Sequence, residues 1–299
     1  MSHRHAADRA GARHLRPLAI TFVLVLAFMV VETIAGWITN SLALLSDAGH
    51  MLTDAVGLGM ALAAITVGNR IAAGGRHTYG VYRLEILAAL ANALLLFAVA
   101  AYVLLEATQR FRDPPAVLSA PMLVVAIAGL VVNLIGWRLL RSAAEDSLNL
   151  EGALLEVVAD LLGSIGAILA ALIILTTGWT YADPLFGAAI GLFILPRAWL
   201  LGRKALRVLL QAAPPHLDIA QLHTELEAIE GVVNVHDLHV WTLTSEMEVA
   251  SLHLMTREET DPHGVLDQAR VILRDRHQIG HATLQVEPES HEHCSETSW

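Results

Sequence analysis

The sequence has a single cysteine, Cys294, close to the end of its 299 residues. That excludes a disulfide framework and any zinc knuckle built on paired cysteines. Lysine is as scarce: Lys204 stands alone, and no Gly-x4-Gly-Lys-Ser/Thr phosphate loop occurs. ATP is therefore not the energy source of this chain. Charged residues amount to only 16%, below the roughly one quarter of a soluble domain, which argues against an ordinary cytosolic enzyme. The hydrophobic share of 55% rules out disorder, and a net charge of −10 leaves no basic surface for nucleic acid.

What is present falls into two parts. Residues 1–207 carry 15 Lys and Arg against 13 Asp and Glu, whereas residues 208–299 carry 4 against 16, with ten of the fifteen histidines. The join lies near Gln211 to Pro215. Six mostly apolar stretches, near 16–38, 42–67, 82–106, 118–140, 150–176 and 184–206, meet the roughly 20 residues that a membrane-spanning helix needs. The first is too long for a signal-peptide core and lacks a small-residue cleavage pattern, so it reads as a retained span. Thr39-Asn40 links the first two spans as an antiparallel hairpin. Thirteen Lys and Arg, among them Arg197, Arg203, Lys204 and Arg207 at the end of span six, flank the spans on the side of the N-terminal tail. Arg110 and Arg112 alone mark the other side. By the positive-inside rule both termini are cytoplasmic, and the expected location is a cell (inner) membrane. In the acidic part, helical patterns near 217–229 and 262–275 alternate with strand patterns near 233–243, 247–256 and 281–287. That order, αββαβ, predicts two helices covering one face of a small sheet.

A charged side chain within a span costs about 2.5–3.5 kcal/mol on insertion scales and usually marks function. His50 and Asp54 in the second span are four residues apart, as are Glu156 and Asp160 in the fifth. This spacing stacks each pair on one helix face. Turned toward one another, the two faces offer four nitrogen and oxygen ligands around one point, as a tetrahedral divalent ion requires. A single such pair would ordinarily be a helix–helix hydrogen bond. Three carboxylates in two spans would instead repel one another and lose their hydration. No Lys or Arg lies inside either span, so a metal ion or protons must neutralise them. These ligands bind metal only when deprotonated, so metal and protons compete for the same atoms. A site opening to each side in turn would therefore exchange metal for protons. Three further embedded acids stand apart. Asp47, one turn before His50, is a proton relay or a helix cap; Glu85 pairs structurally with Arg83 or Arg76; Glu32 in span one carries no assignment.

The segment Ser-Leu-Ala-Leu-Leu-Ser-Asp-Ala-Gly-His-Met-Leu-Thr-Asp from Ser41 to Asp54 resembles the cation diffusion facilitator family of metal/proton antiporters. Further matches are His77-Thr78-Tyr79-Gly80, Arg83-Leu84-Glu85, Leu148-Asn149-Leu150-Glu151-Gly152-Ala153, His236-Asp237-Leu238-His239-Val240-Trp241 and Thr283-Leu284-Gln285-Val286-Glu287. The resemblance runs from about residue 16 to 290 and is strongest to the bacterial zinc/cobalt/cadmium-efflux branch. It implies a homodimer with six spans per protomer, a ferredoxin-like cytoplasmic domain, and export of Zn²⁺ against protons by alternating access. It puts His50, Asp54, Glu156 and Asp160 at the transport site. Many zinc members have histidine in place of Glu156; the third carboxylate makes this site harder and weakens its discrimination among Zn²⁺, Co²⁺, Cd²⁺ and Mn²⁺. In the tail, His236, His253, His263 and Glu287 match positions where relatives bind regulatory metal near the dimer interface. Strand alternation places Asp237 and His239 on the face opposite His236. His77 is a candidate for a loop site, and His3, His5, His291, His293 and Cys294 are loose capture groups or solvated tails.

The expectation is thus an α-helical membrane protein. A tail over 1–15 precedes six transmembrane helices over 16–207, a cytoplasmic metal-binding α/β domain over 208–290 and a histidine-containing tail over 291–299. It is a secondary transporter and not an enzyme: no His-Glu-x-x-His motif occurs, and four protein ligands leave no position for a catalytic water. No prosthetic group is expected. Zn²⁺, or Co²⁺ or Cd²⁺, is the substrate and a regulatory ligand; protons, the lipid bilayer and a second copy of the chain are the other partners. Two readings compete, a membrane-anchored metal sensor and an exporter of the same architecture that prefers Mn²⁺ or Fe²⁺.

Overall fold

The computed structural model describes residues 4–70, 78–141, 148–244 and 247–290. Six long helices come first: α1 Arg4–Thr39, α2 Leu42–Arg70, α3 Arg83–Arg112, α4 Ser119–Leu140, α5 Leu148–Thr177 and α6 Ala182–Leu209. A smaller set follows: α7 Ile219–Glu227, β1 Val232–Thr244, β2 Met247–Thr256, α8 Pro262–Val271, a π-helical turn Ile272–Arg276 and β3 His281–Pro288. The chain forms two compact units, one of residues 1–60 and 91–201, the other of 61–90 and 202–299.

Among the described residues, five helices are long and apolar enough to cross a membrane: Ile20–Thr39 of α1, α3, α4, Glu156–Thr177 of α5, and α6. The sixth, α2, is 29 residues long and carries Asp47, His50 and Asp54 in its first half. Large apolar side chains such as Val23, Leu94, Val124 and Phe193 point outward; a lipid environment accepts such a surface, whereas backbone polar groups must be satisfied within helices. Small residues bring the helices close. Along α4 the buried face runs Met122, Ala126, Gly129, Asn133, Gly136 and Leu140. A side chain at Gly129 would meet the Phe28 ring at 2.7 Å, and one at Gly136 would meet Thr21 at 3.0 Å. Close backbone approach of this kind replaces the hydrophobic drive that is missing between helices in lipid.

The short link between α1 and α2 has a definite cap. Asn40 takes a left-handed φ of 56°, the Ser41 amide donates to the Gly36 carbonyl at 3.0 Å, and the Asn40 amide donates to Trp37 at 3.3 Å. These two bonds make a Schellman stop, a role that asparagine tolerates. The start of α2 is then fixed by a carboxylate from another helix. Asp183, at the start of α6 and fully buried, accepts from Ser41 Oγ at 2.6 Å and from the amides of Leu42 and Ala43 at 2.7 and 3.1 Å. Arg110, near the end of α3, lies 3.5 Å from the same carboxylate and donates to the Asn40 carbonyl at 2.6 Å. The helix carrying His50 and Asp54 is thus anchored at its first turn to two neighbours.

In the second unit the sheet order is β1-β2-β3, with β1 antiparallel and β3 parallel to β2. Helices α7 and α8 cover one face, burying Leu222, Leu226, Val265 and Ala269 against Val235, Val240, Ala250, Leu252 and Leu254. Both helices start at aspartate caps, Asp218 and Asp261, the latter followed by Pro262. The αββαβ order and its one-sided cover agree with the sequence expectation. The face assigned to His239 does not. His236 pairs with His253, but His239 pairs with Ser251, across a register shift in which Asp237 adopts φ 49°. Ser251 and His253 share a face, so His239 lies on the same face as His236. One extra residue in β1 inverts the alternation beyond it, which strict period-two counting cannot register.

Candidate metal centre

His50 and Asp54 project from one face of α2, with His50 Nε2 3.8 Å from Asp54 Oδ2. Glu156 and Asp160 occupy the facing stretch of α5. His50 and Asp160 are buried, Asp54 is partly buried and Glu156 is exposed. Asp160 has Asp54 and Glu156 as electrostatic neighbours. Its Oδ1 and the Nδ1 of His50 are buried without a hydrogen bond among the described residues. Asp47 and Glu32 are fully buried behind this site, and Asp47 needs the missing side chain of Gly163, where a Cβ would come within 2.0 Å of its Oδ1. One cavity borders Asp54, Glu156 and Asp160, and another borders Asp47 and His50.

A residue of α6 completes the arrangement, and the sequence reading missed it. Arg197 donates through Nη1 to Asp54 Oδ2 at 3.2 Å and through Nη2 to Glu156 Oε1 at 2.7 Å. Its Nη2 lies 3.2 Å from Asp54 Oδ1, and its Nη1 lies 3.5 Å from His50 Nε2. The expectation that only metal or protons neutralise the acids is therefore corrected, because α6 supplies a guanidinium. The charge count took Arg197 as a marker of the cytoplasmic side, yet it falls nine residues inside the 184–206 apolar stretch. An arginine that deep in a span was the available signal.

The second group lies on the open face of the small sheet. His236 on β1 sits directly opposite His253 on β2, and Glu287 comes from β3. Glu287 is 3.8 Å from His236 Nε2 and 3.2 Å from His253 Nδ1, and it also accepts from Gln285. The two rings meet edge to face at 5.1 Å. Neither nitrogen of His236 makes a hydrogen bond among the described residues, although the side chain is buried. Among the described residues this is the one group whose three ligand atoms all lie within 4.8 Å of one another. Three ligands leave one position of a tetrahedral shell open. His263 is exposed at the first turn of α8 and is not part of this group. His77, His3, His291, His293, Cys294 and the side chain of His5 lie outside the described residues. Glu85, assigned a structural partner by sequence, accepts a 2.6 Å hydrogen bond from Thr244.

Comparison with known proteins identifies the family of the chain. Residues 18–210 match the model of the cation efflux transmembrane domain, and residues 214–289 match that of the cation efflux protein cytoplasmic domain. The metal cation efflux system protein CzcD of Cupriavidus metallidurans is 45% identical over 288 residues, covering 96% of this chain and 90% of that protein. The zinc transporter ZitB of Escherichia coli is 42% identical over 289 residues, covering 96% and 92%. A cadmium, cobalt and zinc/H(+)-K(+) antiporter of Bacillus subtilis is 37% identical over 300 residues, covering 98% and 94%. The chain belongs to the cation diffusion facilitator family, in its zinc, cobalt and cadmium branch, and is a transporter of cations rather than an enzyme.

Proposed function

We propose that this protein exports Zn²⁺, together with Co²⁺ and Cd²⁺, from the cytoplasm in exchange for protons, through alternating exposure of the site between α2 and α5. The observation that carries this reading is the convergence of an imidazole and three carboxylates from two helices inside an apolar helical unit. Each ligand binds metal only without its proton, so protons arriving from the outer side displace the ion. The three relatives, named for metal efflux, zinc transport and Cd/Co/Zn antiport, support the cargo class. The excess of Lys and Arg on the side of the N-terminal tail supports a reading with both termini in the cytoplasm and the chain in the inner membrane, and the match to the family's cytoplasmic domain supports pairing of two copies.

The test is metal flux into proteoliposomes under a pH gradient, read with an internal metal-sensitive dye for Zn²⁺, Co²⁺, Cd²⁺ and Mn²⁺. Zn²⁺ flux that follows the gradient is expected, and no gradient-driven flux of any of the four would overturn the proposal. The Glu156→His variant in the same assay probes the hard ligand. Imidazole in place of a carboxylate is expected to shift the Zn²⁺ to Mn²⁺ ratio about tenfold toward Zn²⁺. An unchanged ranking would show that Glu156 does not set selectivity.

The group of His236, His253 and Glu287 is proposed as a second, cytoplasmic Zn²⁺ site that responds to the concentration of the cargo. Equilibrium dialysis of the full chain should count one bound Zn²⁺ fewer in Glu287→Gln than in wild type. Equal stoichiometry would leave these residues as a buried polar cluster with no metal role.

A further inference from the structure

The distances around Arg197 describe more than a counter-ion. Zn²⁺ bound to Asp54, Glu156 and His50 would sit about 2.0–2.2 Å from each ligand atom. The Nη atoms of Arg197 lie 2.7 to 3.5 Å from those same atoms and fill the space between them. A guanidinium and a divalent ion cannot share that space, and their charges repel. Arginine is donor-only, so at Asp54 and Glu156 it faces the same lone pairs that a metal would use.

The Arg197 side chain is not enclosed by the helices around it. Its side chain is 36% exposed, although the residue belongs to a helix of the membrane unit. Pro196 immediately precedes it inside α6. Proline has no amide hydrogen to donate to the Leu192 carbonyl one turn back, and this loosens the helix where the arginine departs.

We infer that Arg197 is a tethered competitor of the transported ion: it occupies the ligands of the transport site, yields to the entering metal, and returns as the metal leaves. It lowers the apparent affinity of the site and prevents the released ion from rebinding. If the guanidinium holds the site about nine-tenths of the time, apparent affinity is reduced about tenfold. This inference rests on the metal-transport reading.

The test is Zn²⁺ transport kinetics of the full chain in proteoliposomes, with Arg197→Gln and Arg197→Lys beside wild type. In Arg197→Gln the competitor is gone, so KM should fall about tenfold and kcat should fall with it, because release is no longer assisted. A merely structural arginine would lower kcat or melting temperature without tightening KM. Arg197→Lys keeps the charge but loses the two-pronged contact with Asp54 and Glu156, so its KM should lie between the other two; it also serves if the Gln variant does not fold. An unchanged or raised KM in a folded variant overturns the inference while wild-type flux persists. Absence of Zn²⁺ flux in wild type overturns the transport reading and this inference with it.

Discussion

Replacing Asp160 by alanine is expected to abolish metal flux while leaving the melting temperature of the protein unchanged or higher. Asp160 is 4% exposed, and its Oδ1 has no hydrogen-bond partner among the described residues. A carboxylate in that position is a burden on the folded state; an embedded aspartate costs about 2.5–3.5 kcal/mol on insertion scales. Removing it relieves that cost and the repulsion from Asp54 and Glu156. The transport site, however, loses one of four ligands. Substituting partners that merely orient a ligand already lowers metal affinity about 10- to 100-fold, so losing the ligand itself should exceed that range. Dye-loaded proteoliposomes and a thermal melt in detergent measure the two effects separately. Substantial flux from Asp160→Ala, or a large drop in melting temperature without loss of flux, would assign Asp160 to the scaffold instead.

Asp183→Ala should produce the opposite pattern, a large loss of stability. Its carboxylate accepts from Ser41 and from two backbone amides of α2, and it lies beside Arg110, which is itself 7% exposed. Alanine would leave two amides at the first turn of α2 and the Ser41 hydroxyl without their acceptor, and would take away one of the two carboxylates beside Arg110, whose Nε still donates to Glu106 at 2.9 Å. Each buried donor left without an acceptor costs about 1–3 kcal/mol. Asp183→Asn, which keeps one acceptor oxygen, should lose less. Melting of either variant at the wild-type temperature would show that this contact does not hold α2 to α3 and α6. Because α2 carries His50 and Asp54, the variant that does melt early should also lose flux at temperatures where the wild type still transports.

Much of this architecture is written in residue order. Apolar length places α4 within one residue of its expected ends, and the strand patterns near 247–256 and 281–287 match β2 and β3 closely. The four-residue spacings pointed to His50, Asp54, Glu156 and Asp160 because helical geometry alone puts such pairs on one face. Arg197 escaped for a physical reason: a charge tally treats every arginine near a span end as a marker of sidedness. Its long side chain reaches the facing helices all the same. His239 escaped because face assignment by alternation assumes an unbroken ladder, and Asp237 interrupts it. The anchoring role of Asp183 joins residues about 140 positions apart, a distance no local pattern spans.

The extra residue at Asp237 has a bearing on assembly of the sheet. A plain alternating ladder can slip by two residues and keep every side chain on its proper face. In β1, Val235 faces the helices before the bulge and Val240 faces them after it, so the strand changes frame there, as it also does at register shifts near its two ends. Only one alignment with β2 satisfies both frames together, and a displaced ladder would bury one half correctly and misplace the other. The residue that defeats alternation in the sequence thereby guards against misregistered folding, and it keeps His236 and His253 facing each other each time the sheet forms.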